Sequence, residues 1–214
     1  MAKIDLDKMS SMQYDVLREL GNIGAGNATT ALSQLINAKI DIGVPQVRLL
    51  GFDELPGVVG SEEKVMVGIL LMLSGDIQGM MMFLMDPEVS KALVKILMGG
   101  YASADESSEE FNDMEKSAVM EIGNIIAGAY LRSLGELTNL TIDVSVPMLQ
   151  IDMSGAIFSV PAIEFGKIGD KVLLIETAFD DEKTKEEELN IKGYYILVPE
   201  LDSYEKILSS LGVL

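Results

Sequence analysis

The chain repeats itself at one fixed offset, and this limits the folds open to it more than any other feature. A carboxylate or hydroxyl, a Glu, an Asn and a Pro occur as Asp15, Glu19, Asn22 and Pro45, and again as Ser117, Glu121, Asn124 and Pro147. The differences 117−15, 121−19, 124−22 and 147−45 all equal 102. The intervening text is shared too: Glu19-Leu20-Gly21-Asn22-Ile23-Gly24-Ala25-Gly26 is answered by Glu121-Ile122-Gly123-Asn124-Ile125-Ile126-Ala127-Gly128. Two halves are expected, 10–100 and 112–214, joined by a Ser-rich acidic link over 101–111 into a single domain 1–214. A chain of 214 residues is long enough for two such halves around a shared core.

On an α-helix, Asp15, Glu19 and Asn22 fall within an arc of roughly 60°. Val16, Leu17, Leu20, Gly24, Ala31 and Leu35 lie opposite and suit a core. The Glu and Asn are therefore expected to face solvent. One such pair reads as surface chosen for solubility; two pairs at one spacing, on the face away from the core, point to function. Asp15 and Ser117 also suit a capping or dipole role in a helix N-terminal turn, and Pro45 and Pro147 suit the end or bend of a strand. Gly26 and Gly128 continue the polar face one turn beyond each Asn, leaving room for a partner's backbone.

The remaining elements follow from local signals. Ser10 and Gln13 predict a capping box and a helix to about Leu35, and Asn112 and Glu115 predict the same for a helix ending near Leu134 or Gly135. Gly21, Gly24 and Gly26 each cost that first helix roughly 1 kcal/mol against Ala, so packing or function has to offset them. Period-two patterns predict strands from Lys39 to Pro45 and from Thr141 to Ile151. Hairpins are expected at Val65–Leu73 with Ile77–Met85, and at Lys171–Phe179 with Tyr194–Pro199. Met80 to Met82 read as core. Helices are expected from Pro87 to the Gly99-Gly100 pair and from Pro199 to Leu211. Residues 51–64 read as loop with a helical turn near Asp53–Leu55, 180–189 as a solvated charged loop, and 152–165 as either helix or strand. The fold class is α/β of the α+β kind: two pseudo-symmetric halves, each with a long exposed motif helix and a C-terminal helix packed on a largely antiparallel sheet.

Composition removes several chemistries. With no Cys and no His, the chain offers no thiol or imidazole nucleophile system, no disulfide and no ordinary zinc site. A net charge of −18 argues against nucleic acid or an anionic membrane as partner. There is no signal-peptide pattern and no apolar run of the ~20 residues needed to span a bilayer, so a soluble cytoplasmic protein is expected. A phosphate-binding loop at Gly21–Gly26 fails, because it lacks the Lys-Ser/Thr pair and Gly24 becomes Ile126 in the second copy. Paired-carboxylate hydrolysis is not indicated either, since each Glu faces an amide rather than a second acid.

The doubled pattern of Asp or Ser, Glu, Asn and distant Pro resembles the CheC-type chemotaxis phosphatases, relatives of CheX and of the flagellar-switch phosphatase FliY. The likeness spans nearly the whole chain. It implies hydrolysis of the aspartyl phosphate of the phosphorylated response regulator CheY. Asn22 and Asn124 would position the attacking water, and Glu19 and Glu121 would ion-pair with the regulator near its active-site Lys. No cofactor of the chain's own is implied, and Mg²⁺ is expected on the regulator. The family also binds the receptor deamidase CheD, and Ile151-Asp152-Met153-Ser154-Gly155-Ala156 resembles the segment used, with Asp152 its foremost residue. No FliY-type N-terminal peptide or C-terminal switch domain is expected. A non-catalytic adaptor that sequesters phosphorylated regulator or CheD is the alternative; repeated turnover separates the two.

Overall fold

The computed structural model describes residues 4–35, 37, 40–42, 46–98, 110–165, 171–181 and 191–214. After a 3₁₀ turn at Leu6–Lys8 the order is α1 (Ser11–Leu35), β1 (Ile40–Ile42), β2 (Gln46–Gly51), a second 3₁₀ turn at Phe52–Glu54, α2 (Leu55–Val59), β3 (Val65–Gly75), β4 (Gly79–Met85) and α3 (Pro87–Leu97). The second half runs α4 (Asp113–Thr138), β5 (Ile142–Val144), β6 (Met148–Met153), α5 (Ser154–Phe165), β7 (Lys171–Asp181), β8 (Ile191–Pro199) and α6 (Leu201–Ser210). Each α-helix and β-strand of the first half thus has a counterpart in the second. Pro45, most of the expected link 101–111 and most of the charged loop 180–189 lie outside the described residues.

Both motif helices start at a reciprocal cap. Gln13 N–H donates to Ser10 Oγ at 3.2 Å while Ser10 N–H donates to Gln13 Oε1 at 2.9 Å. In the second copy Met114 and Glu115 N–H donate to Asn112 Oδ1 at 3.0 and 2.9 Å, and Asn112 N–H donates to Glu115 Oε2 at 2.8 Å. The two caps are themselves 112−10 = 102 residues apart, so both helices begin in the same phase.

The strands form one eight-stranded sheet in the order β1-β7-β8-β4-β3-β5, with β2 also pairing β7 and β6 also pairing β3. Every pairing is antiparallel. The pseudo-two-fold lies between β4 and β8, where Met82 faces Ile196 and Phe83 faces Tyr195. The halves exchange strands: β1 and β2 complete the hairpin of the second half, and β5 and β6 that of the first. Ladder hydrogen bonds therefore run through both halves.

Apolar runs without alternation predict strands buried on both faces, and the sheet is covered on both. Val67, Ile69, Leu71, Met81, Phe83, Leu173, Ile175 and Tyr195 point to the core shared with α1, α3, α4 and α6. Met66, Leu70, Met80, Met82, Leu84, Val172, Leu174 and Ile196 point to a second core under α2 and α5. Met80 to Met82 are core residues, as expected.

The helix glycines divide by role. A Cβ on Gly21 would stand 2.8 Å from Val47 Cγ2, and one on Gly123 would stand 2.6 Å from Ile69 Cγ2, so these paired positions let α1 and α4 lie close on the sheet. A Cβ on Gly24 would run into the ring of Tyr130 on α4, within 2.8 Å of its Cζ. Where α1 has Gly24, α4 has the buried Ile126. Gly26 and Gly128 would meet nothing within 4 Å.

Several expectations change. The buried face of α1 is Leu17, Leu20, Gly21, Gly24, Ala25, Ala28, Thr29 and Leu32; Val16, Ala31 and Leu35 are only half-buried, because α1 packs against α4 as well as the sheet. The strand expected over Thr141–Ile151 is two strands, since Pro147 has no N–H to give the ladder. Gln46–Gly51 is a strand that no alternating pattern announced. Residues 154–165, left between helix and strand, are helix with Pro161 inside it. α4 passes through Gly135 to Thr138 and ends where Asn139 takes a left-handed φ of 55°.

Candidate functional site

The caps set the rotation of α1 and α4, and so which side chains leave the core. On α4, Ser117, Glu121 and Asn124 are all exposed along one stripe. The β5–β6 connection runs beside it, and together they make an open groove of about 480 Å³ lined by Ser117, Met120, Glu121, Asn124, Val144, Ser145, Val146 and Pro147. All four residues of the second motif copy therefore line one groove, although Pro147 is 23 residues beyond Asn124 (147−124).

The connection is held in place by Ser145. Its N–H donates to Met72 O at 3.0 Å, and its Oγ accepts the Met72 N–H at 3.0 Å. That second bond supplies to β3 the acceptor lost where the ladder breaks between β5, which pairs Leu73–Gly75, and β6, which pairs Val65–Leu70. With Ser145 pinned, Val146 is left 82% exposed beside the groove.

The polar groups divide into spent and unspent. Ser117 Oγ donates to Asp113 O at 2.9 Å, and Asp15 Oδ1 is paired with Arg18 at 2.9 Å, so both flanking residues are satisfied within their own helix. Glu19 and Glu121 are exposed and make no hydrogen bond or ion pair with any described residue. Asn124 is likewise exposed, and its amide bonds no described residue. A carboxylate and a carboxamide one turn apart, with free acceptors and donors, can bind and orient groups brought by another molecule.

The first copy differs. Glu19 is exposed as expected, but Asn22 is half-buried, and its Oδ1 is out of reach of solvent with no hydrogen-bond partner among the described residues. The expectation that both amides stand free is therefore corrected for Asn22. The helix rows also diverge, with Asp15 and Arg18 where the second copy has Ser117 and Met120. The remainder of the first site, including Pro45, lies outside the described residues.

Asp152 sits on β6, opposite Met66 of β3, and is half-buried, with the Met153 N–H donating to its Oδ1 at 2.7 Å. Five residues of strand, about 17 Å, separate it from Pro147, so it is not part of the groove. Met120, Val144, Ser145 and Val146 were missed by sequence reasoning. The offset of 102 contained part of that signal, since Val146 answers Val44 (146−44 = 102). Among the described residues no group of three or more His, Cys, Asp or Glu could hold a metal ion, and no helix is long and apolar enough to cross a membrane.

Comparison with known proteins follows the same repeat. A model of the CheC-like family matches residues 12–48 and 114–151, two segments whose starts again differ by 102 (114−12). The chain is 37% identical over 202 residues to the CheY-P phosphatase CheC of Bacillus subtilis, covering 94% of each. Among solved structures it resembles Thermotoga maritima FliY, with a TM-score of 0.71 at 24% identity over 96% of this chain and 98% of that one. It also resembles a chain of the CheX–CheY–BeF₃–Mg²⁺ complex from Borrelia burgdorferi, with a TM-score of 0.50 at 17% identity over 83% of this chain and 95% of that one.

Proposed function

The chain belongs to the CheC-like family, and on that premise we propose that it hydrolyses the aspartyl phosphate of phosphorylated CheY. One observation carries the reading to residues: in the second copy Glu121 and Asn124, with no partner among the described residues, stand exposed in the groove that Pro147 also lines. A site open on this scale and fixed on a rigid helix suits a protein surface, not an enclosed metabolite.

The chemistry asks little of the chain. In an acyl phosphate the water oxygen forms a bond to phosphorus while the bond from phosphorus to the aspartyl oxygen breaks, giving inorganic phosphate and a free carboxylate. Such transfers depend chiefly on positioning and on charge stabilisation. A carboxamide serves the first need, because Oδ1 accepts a hydrogen bond from the water and Nδ2 donates one to a phosphoryl oxygen. Asn124 and, in the first copy, Asn22 take this role. Glu121 and Glu19 dock the regulator through its active-site Lys, a charge-assisted contact that also fixes the approach. The regulator brings the Mg²⁺ that neutralises charge on the phosphoryl group. No strong base is needed, in keeping with a chain that has no His.

Gly26 and Gly128, half-buried one turn beyond each Asn and with nothing within 4 Å of where a Cβ would stand, leave space for the regulator's backbone. Regulation by CheD, with Asp152 in the contact, is part of the same proposal, and it places that contact on β6 outside the residues that line the groove. The test is turnover: substoichiometric chain mixed with excess phosphorylated CheY is expected to release many phosphates per chain. Protection of the phosphoryl group, saturating at one regulator per site, would make the chain an adaptor instead.

A further inference from the structure

Two apolar residues are kept at the offset of 102 although no core explains them. Met12 and Met114 (114−12 = 102) are 64% and 65% exposed on their helices. Taking 100° per residue, Met114 shares an arc of roughly 80° with Ser117, Glu121, Asn124 and Gly128. It therefore extends the polar stripe by one turn towards the N-terminus. Val146, the counterpart of Val44, is 82% exposed on the opposite side of the groove. Isolated exposed hydrophobics are ordinary. A pair flanking a polar couple, retained in both copies, is not explained by that.

The charge of the groove gives the second argument. Among the described residues that line it, Glu121 is the only ionisable one, and the whole chain carries −18. One exposed carboxylate offers a single charge-assisted contact that salt weakens, whereas burying a Val and a Met side chain adds a substantial, salt-insensitive contribution. We propose that Met114 and Val146 are docking residues that fix the specificity of the α4 site, each packing on an apolar patch of the phosphorylated regulator beside its aspartyl phosphate. The pinning of the connection through Ser145 holds Val146 ready for that contact, so little ordering is left to be done on binding. The inference rests on the phosphatase reading above and extends it.

The test uses the full chain carrying Asn22→Ala, so that only the α4 site acts on phosphorylated CheY. Val146→Asp and Met114→Glu are each expected to raise KM about tenfold with kcat held within about twofold, the pattern of lost binding common to ground and transition states. The Kd for CheY charged with BeF₃⁻ and Mg²⁺ should rise in parallel. Val146→Ser, which removes the apolar contact without adding charge, should raise KM about threefold and excludes simple repulsion. Both side chains are exposed, so melting midpoints should stay at the parent value. KM within twofold of the parent for all three variants, or a loss confined to kcat, overturns the inference. So does a changed oligomeric state with unchanged KM, which assigns the patch to self-contact. If the parent chain shows no turnover of phosphorylated CheY the phosphatase reading itself fails, and if Asn22→Ala/Asn124→Ala retains full activity the assignment to the two amides fails; if the parent turns over while Val146→Asp keeps its KM, only the docking inference fails.

Discussion

Gly128→Ala should make the protein more stable and a worse enzyme. The position is inside α4, well away from either end, and a Cβ there meets no atom within 4 Å. The change therefore collects the helix-propensity difference between Gly and Ala, about 0.8–1 kcal/mol, with no packing cost. For a domain of this size that corresponds to a rise in melting midpoint of about 2–4 °C. Gly123→Ala, five residues earlier on the same helix, supplies the contrast, because its Cβ would press on Ile69, which is fully buried in β3. Overpacking of about 1–3 kcal/mol outweighs the same propensity gain or cancels it, so the midpoint stays level or falls by several degrees. Thermal scans and urea titrations at constant m-value measure both. The functional half is read from the same Gly128→Ala protein: with a methyl group where the regulator's backbone approaches, KM for phosphorylated CheY should rise severalfold. A lowered midpoint for Gly128→Ala, or a raised one for Gly123→Ala, would refute the packing account. A parental KM for Gly128→Ala would refute the reason given for keeping glycine there.

Three further outcomes are expected. Asn124→Ala should reduce steady-state phosphatase activity more than Asn22→Ala, because the Asn22 Oδ1 is covered; Asn22→Ala should also stabilise by about 1 kcal/mol by removing an unpaired buried carbonyl, read from denaturant midpoints. Alkali should unfold the protein steeply. Burial pushes the Tyr130, Tyr195 and Tyr204 hydroxyls well above the usual tyrosine range. Their contribution is fully present below the unfolded value near 10 and is lost as pH rises above it towards the folded values, at about 4 kcal/mol per pH unit for the three together. Tyr204→Phe should lessen that slope by about a third in denaturant titrations between about pH 9 and 12. Ser145→Ala removes the acceptor for the Met72 N–H, at a cost of about 1 kcal/mol or less, and by loosening Val146 should raise KM at the α4 site while leaving the Asn22 site unaffected, which single-site backgrounds can test.

Much of this architecture was legible because local signals and the repeat agreed. The capping boxes at Ser10 and Asn112, the hairpins and the apolar runs of β3 and β4 needed no tertiary information. What sequence could not give was set by contacts far along the chain. The half-buried state of Val16 and Ala31 follows from α4 lying beside α1, and the strand character of Gln46–Gly51 from β7, more than a hundred residues later. The exchange of edge strands between halves likewise leaves no trace in either half alone.

The site was legible to a different depth. Glu19, Asn22, Glu121 and Asn124 were found from spacing, and Glu19, Glu121 and Asn124 do face outward. Pro147 suits the end or bend of a strand and lies in the break between β5 and β6, but its place in the groove depends on how that connection runs beside α4. Val146 and Met114 were passed over because apolar residues are assigned to the core by default, and only exposure separates a packed Met from a presented one. Asn22 shows the reverse error: the helical wheel gives a residue's direction but not what covers it.

Whether the carboxamides of Asn22 and Asn124 carry the hydrolysis is decided by phosphate release from excess phosphorylated CheY in the presence of the Asn22→Ala/Asn124→Ala chain. Release should be no faster than the regulator's own spontaneous loss, from a protein that melts no lower than the parent and still binds CheY charged with BeF₃⁻ and Mg²⁺. Release at the parental rate by that folded, binding-competent variant would contradict it.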